Sequence, residues 1–118
     1  MKDQKEVMQV LEQWGVPIQE TMERFLNDEE FYMECLQDFM QDGNMQVLET
    51  ALRAKDYSAA FDASHTLKGV AGNLGLLPLL NVIVEIVEPL RRKEYDNLEE
   101  EYQNIQKIMN ELREKIGA

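Results

Sequence analysis

The run Asn81-Val82-Ile83-Val84-Glu85-Ile86-Val87 is dense in the β-branched residues that favour strands. A lone strand leaves its backbone donors and acceptors without partners. No other segment of this chain reads as a strand that could supply them. Everywhere else the apolar residues recur at three- and four-residue spacing, the signature of amphipathic helices. The run is therefore read as a helix apolar on most of its sides and placed centrally among the others. The fold class that follows is all-α.

The breaks between helices are equally legible. Val7, Met8 and Leu11 form a stripe over Gln4 to Trp14, and Gly15 with Pro17 ends it. Ile18, Met22, Phe25 and Leu26 share the face of a short second segment. Asn27-Asp28 offers a cap, and Glu29 and Glu30 suit the positive end of the helix dipole that follows. Phe31, Cys35, Leu36, Phe39 and Met40 continue the pattern to a break or bend at Asp42-Gly43-Asn44, after which Met45, Leu48 and Leu52 resume it. Asp56 is a good N-cap for a helix over about residues 57–75. Leu77-Pro78 starts another, which runs to the region of Pro89. Asp96 or Asn97 caps a last helix carrying Leu98, Tyr102, Ile105, Ile108, Met109, Leu112 and Ile116 on one face. The expected architecture is a single domain over residues 1–118, an antiparallel four-helix bundle with an additional short N-terminal helix.

Charge narrows the possible partners. With 23 acidic and 12 basic residues the net charge is −11. Nucleic acid and anionic membrane surfaces are disfavoured, because both need clustered Lys and Arg. Cys35 is the only cysteine, so neither an intrachain disulfide nor a Cys-rich metal site is expected. The first residues, Met1 to Glu6, lack the apolar core of a signal peptide. The longest uncharged stretch, Gly69 to Val84, is too short and too interrupted by Gly72, Gly75 and Pro78 to span a bilayer. A cytoplasmic location is the expectation.

The segment from Tyr57 to Gly75 carries the chemistry. On a helical wheel with His65 at zero, Ala60, Ala63, Leu67, Val70, Ala71 and Leu74 fall within about 60° of a line roughly 200° away. That stripe is the buried one, so His65 points at solvent. Its outer-face neighbours are Ser58, Phe61, Asp62, Lys68, Gly69 and Gly72. Two glycines within a helix each cost about 1 kcal/mol relative to alanine, and here both flank an exposed histidine. They leave a bare patch on which a partner's backbone can approach the imidazole. Lys68, one turn beyond His65, places an ammonium where a phosphoryl group on the ring would sit. Phe61, one turn before it, is apolar where solvent is expected and suits a docking surface together with Ser58.

The string Ser64-His65-Thr66-Leu67-Lys68-Gly69-Val70-Ala71-Gly72-Asn73-Leu74-Gly75-Leu76 resembles the signature of histidine-phosphotransfer (HPt) domains, His-x-Leu-Lys-Gly followed by small residues and Leu-Gly. Upstream, Ala54-Lys55-Asp56-Tyr57 is similar to the turn that introduces the phosphohistidine helix of that family. The resemblance implies that His65 is phosphorylated, that Lys68 steadies the phosphoryl oxygens, and that Gly69 and Gly72 give a partner clearance. It implies a carrier in a two-component phosphorelay, exchanging phosphoryl groups with receiver-domain aspartates or a hybrid sensor kinase and acting as a monomer. Any Mg²⁺ belongs to the receiver, and no cofactor or metal is expected on this chain. No Gly-rich nucleotide loop of the Gly-x-x-x-x-Gly-Lys-Ser/Thr type is found, so the resemblance implies no kinase activity of its own. One departure stands out. Family members often present a Gln toward the histidine from the neighbouring helix, and the corresponding stretch Glu85 to Glu88 has none.

Two rivals compete with this reading. Asp62 and His65 have the i, i+3 spacing of a carboxylate-histidine di-iron site, but such a site needs two pairs and the chain has one histidine. An HPt-like interaction module that no longer carries phosphate is the other alternative.

Overall fold

In the computed structural model, which describes all residues 1–118, the chain forms seven α-helices and no strand. They are α1 (Gln4–Trp14), α2 (Ile18–Arg24), α3 (Glu29–Met40), α4 (Asn44–Arg53), α5 (Tyr57–Asn73), α6 (Leu77–Arg91) and α7 (Leu98–Ile116). Helices α4 to α7 are the four-helix bundle: α4 packs on α5, α5 on α6, α6 on α7, and α4 meets α7 to close the ring. The additional N-terminal portion is divided into three helices rather than one, because Gly15-Val16-Pro17 and the turn at Leu26–Asn27 each interrupt it. Asp42-Gly43 is a true break, separating α3 from α4.

The segment 81–87 is helical, within α6. Ile83, Ile86 and Val87 are fully buried, with Leu79 and Leu90 continuing the same face. Burial on this scale overrides strand propensity, since each large apolar side chain removed from water contributes about 1.5–3 kcal/mol. Pro78 sits in the first turn, where its missing N–H has no helical partner to lose. Pro89 lies close to the C-terminal end, and α6 stops two residues later.

The sequence-level caps behave individually. Asp56 accepts from the backbone N–H of Ala59 at 3.1 Å, and Asp28 from that of Phe31 at 3.0 Å. Asn97 stands at the start of α7, but its side chain makes no capping bond. That end relies instead on Glu99, Glu100 and Glu101 in the first turn, complementing the helix dipole.

Long-range hydrogen bonds join the peripheral helices to the bundle. Trp14 Nε1 donates to Glu111 Oε1 at 3.0 Å, Tyr32 Oη to the carbonyl of Leu74 at 2.7 Å, and Arg113 Nη2 to the carbonyl of Met40 at 3.1 Å. Burial pushes the Tyr32 phenol far above its ordinary range, with the charge of Arg24 acting in the other direction. The α5–α6 corner turns on Gly75, whose φ of +73° is left-handed. A Cβ there would run into the hydroxyl of buried Thr21 on α2. Gly75→Ala therefore combines backbone strain with a steric clash and should destabilise the protein by about 2–4 kcal/mol, measured as a lowered urea midpoint at unchanged slope.

Candidate functional site

Helix α5 lies between α4 and α6 and buries Ala60, Ala63, Ser64, Leu67 and Ala71. The small side chains among these let its neighbours approach closely. Ser64 is fully buried, and its hydroxyl donates to the carbonyl of Phe61 at 3.0 Å, so it adds no unpaired polar group to the core. With that face committed, His65 is turned outward and exposed.

The imidazole sits at the rim of a shallow, open depression lined by Arg24, Lys68, Gly69, Gly72, Asn73 and Leu80. Phe61 stacks on it, ring centroids 5.5 Å apart at 25°. Phe61 also receives the Arg91 guanidinium, whose Cζ lies 5.1 Å from the ring centroid. Half-buried Phe61 thus contacts both His65 and Arg91 of α6, while His65 stays exposed. No side-chain hydrogen bond engages His65, although Thr66 next to it donates back to the carbonyl of Asp62.

The two glycines have no internal explanation. A Cβ on Gly69 would meet nothing within 4 Å, and one on Gly72 would make only ordinary contact, 3.9 Å from the methyls of Leu80. Neither helps α5 pack, so their helix-weakening effect is not offset inside the chain.

Of the residues singled out in the sequence, His65, Lys68, Gly69 and Gly72 share one depression. Ser58 does not; it lines a separate hollow with Tyr57, Phe61, Leu90, Arg91, Lys93 and Tyr95, toward the N-terminal end of α5. A more enclosed hollow of about 390 Å³ lies between α4 and α7, lined by Glu49, Tyr95, Tyr102 and Gln106 among others, and it includes neither His65 nor Lys68.

Three contributors escaped the sequence reading. Arg24 of α2 donates to the carbonyls of Gly72 (3.2 Å) and Asn73 (3.1 and 3.3 Å) at the end of α5. Arg91 covers Phe61, and Leu80 of α6 supplies the apolar wall of the depression. Arg91 is separated by only three residues from Glu88, in the stretch compared with the family, and the phase of α6 could have revealed it. Arg24 is 41 residues before His65 and carried no local signal.

The two acids of α6 part company. Glu85 lies beside Glu101 of α7; burial, followed by the charges of Glu85 and Glu100, raises the Glu101 pKa. Glu88 accepts from Arg91 Nε at 3.0 Å. That hydrogen bond, opposed by partial desolvation and aided by the charges of Arg91, Lys68 and Arg92, holds the Glu88 carboxyl below its usual range. Glu88 is thus a carboxylate already engaged by Arg91.

A family model described as the Hpt domain matches residues 6–115. The chain belongs to the Hpt domain family. No curated protein and no solved structure matches it. As an Hpt domain, the chain is a phosphotransfer-type helical module, a class that generally engages receiver domains of two-component systems. No helix is long and apolar enough to cross a membrane.

The Glu88 arrangement can be checked by following side-chain carboxyl carbons by NMR across an acid titration. The Glu88 midpoint should fall below the ordinary glutamate value of about 4.3. Arg91→Ala should bring it back up, because the donor that stabilises the ionised form is removed.

Proposed function

We propose that this Hpt domain is a phosphoryl carrier of a two-component phosphorelay, a cytoplasmic monomer that accepts the group on His65 and donates it to receiver-domain aspartates or takes it from a hybrid sensor kinase. The observation that carries this reading is the pairing of an exposed, unbonded imidazole with two helix glycines that serve no packing purpose. Such glycines make sense where another protein must come close.

In the forward step, the lone pair of the unprotonated ring nitrogen attacks phosphorus of the receiver's aspartyl phosphate. The P–N bond forms as the P–O bond breaks, and the electron pair returns to the aspartate carboxylate. Neutral imidazole is nucleophilic near pH 7, and the phosphoramidate it forms remains reactive enough to pass the group on. Lys68 would face the equatorial oxygens with a charge-assisted hydrogen bond. Phe61 would hold the ring so that its edge, not its face, meets the partner. The chain then supplies a positioned nucleophile and a cation, and the receiver supplies its own metal.

The first experiment is transfer of labelled phosphate from a phosphorylated receiver domain. The chain should acquire label that is labile to acid and stable to base, and His65→Gln should acquire none. Absence of label on the wild-type chain from receivers that it binds would favour an interaction module instead. Lys68→Ala should slow transfer by about 10- to 100-fold with little change in melting temperature.

Gly69 offers a sharper test, because stability and activity should move in opposite directions. Gly69→Ala has room for its methyl group and should stabilise the isolated protein by about 0.4–1 kcal/mol. The same substitution should reduce transfer, since the methyl stands where the partner approaches. Thermal melts and transfer rates on one preparation measure both.

A further inference from the structure

A chain with a net charge of −11 repels acidic proteins over most of its surface, so cations gathered in one place have consequences for docking. Along α5 the order is Arg91 over Phe61, then His65, then Lys68, then the bare backbone at Gly69 and Gly72, then Arg24 at the C-terminal end. Two acids lie close to this row: Glu88, which is paired with Arg91, and exposed Asp62, one turn before His65.

Arg24 differs from the other two. It comes from α2, outside the four-helix bundle. Its Nε and Nη2 donate to carbonyls at the end of α5, and Nη2 also reaches Thr21 Oγ1 at 3.5 Å. Those bonds leave Nη1 uncommitted. The last turn of α5 has no basic residue of its own, so Arg24 supplies the cation that complements its negative end. A guanidinium anchored in this way has already lost most of the rotamer freedom that binding would otherwise remove.

Its distance from the reacting ring is also set by the helix. Residues 72 and 73 lie seven and eight positions beyond His65, which is roughly 10–12 Å along the axis. Helical side chains lean toward the N-terminus, which tilts His65 further from Arg24. The guanidinium is therefore outside hydrogen-bonding reach of a phosphoryl group on the ring, yet it lines the same depression.

We propose that Arg24 is a docking and specificity residue: its free Nη1 edge pairs with a carboxylate on the receiver domain that faces Gly69 and Gly72, while its other donors hold it to the end of α5. This rests on the phosphotransfer reading above. It assigns to α2 a direct part in partner choice, so that the N-terminal helices complete the docking surface as well as covering one end of the core. With Nε and Nη2 committed to α5, Nη1 offers that carboxylate a single charge-assisted hydrogen bond.

The test uses the full chain and a purified receiver domain phosphorylated on its aspartate with acetyl phosphate. Arg24→Gln retains an amide that can donate to the α5 carbonyls but loses the charge. With the protein folded by circular dichroism, the KM for the receiver should rise about five- to tenfold and kcat should stay within about twofold. The rise of KM between about 50 and 300 mM salt should also be shallower than for wild type. Arg24→Lys keeps the charge; its KM should stay within about threefold of wild type, with the salt dependence retained. Where Arg24→Gln proves unstable, Arg24→Lys decides: a KM rise well beyond threefold with the salt dependence unchanged would overturn the charge pairing.

Unchanged KM and salt dependence in folded Arg24→Gln, with His65 still labelled, would overturn the docking role alone. A fall in kcat at constant KM would overturn it too, making Arg24 a residue that merely positions α5. Failure of the wild-type chain to take label from the receiver would remove the phosphotransfer reading and this inference together.

Discussion

Burial of one face of α5 fixes the rotation of that helix, and every feature of the site follows from the rotation. Ala60, Ala63, Ser64, Leu67 and Ala71 are packed against the neighbouring helices. Turning α5 to bury His65 would expose Leu67 and force Lys68 toward the core, so two unfavourable terms oppose it: lost apolar burial and desolvation of a charge. The small side chains matter as much as the apolar ones. They let α4 and α6 pack closely on either side, and α6 then brings Leu80 and Arg91 up to the edges of the histidine's surroundings.

The C-terminal end of α5 is secured from outside the bundle. Its last carbonyls would otherwise lack helical partners. Arg24 takes those of Gly72 and Asn73, Tyr32 takes that of Leu74, and the backbone N–H of Leu76 takes that of Ala71 at 2.9 Å. Gly75 permits the turn, and Thr21 closes over it so tightly that no side chain fits. Two of the three N-terminal helices, α2 and α3, are therefore tied to the end of α5 by hydrogen bonds. They are more than a cover for exposed core.

The site itself combines open space with fixed charge. Gly69 and Gly72 weaken the helix for no internal gain, the kind of local inconsistency that marks a functional position. Flanking cations lie on either side of that bare patch in an otherwise acidic molecule. Arg91 also engages Glu88, which makes that acid the partner of a cation on the same helix. The absence of the family's customary Gln thus leaves a surface built from Phe61, Leu80 and paired charges in this chain.

Local regularities made much of this legible in the sequence. Helical periodicity located the elements, Asp56 and Asp28 marked helix starts, and the phase of α5 placed His65 outside with Lys68, Gly69 and Gly72 beside it. Each of those inferences depends on residues within two turns of one another, where backbone geometry dictates which side chains share a face. The number of N-terminal helices was less clear, because Asp42-Gly43-Asn44 could bend a helix or end it. The placement of Ser58 in a different hollow, the contact of Phe61 with Arg91, and the arrival of Arg24 and Leu80 at the depression were decided only by the tertiary structure. Arg24 is 48 residues from the first carbonyl it holds. Nothing in a helical period links residues so far apart; only the packing of α2 against the end of α5 brings them together.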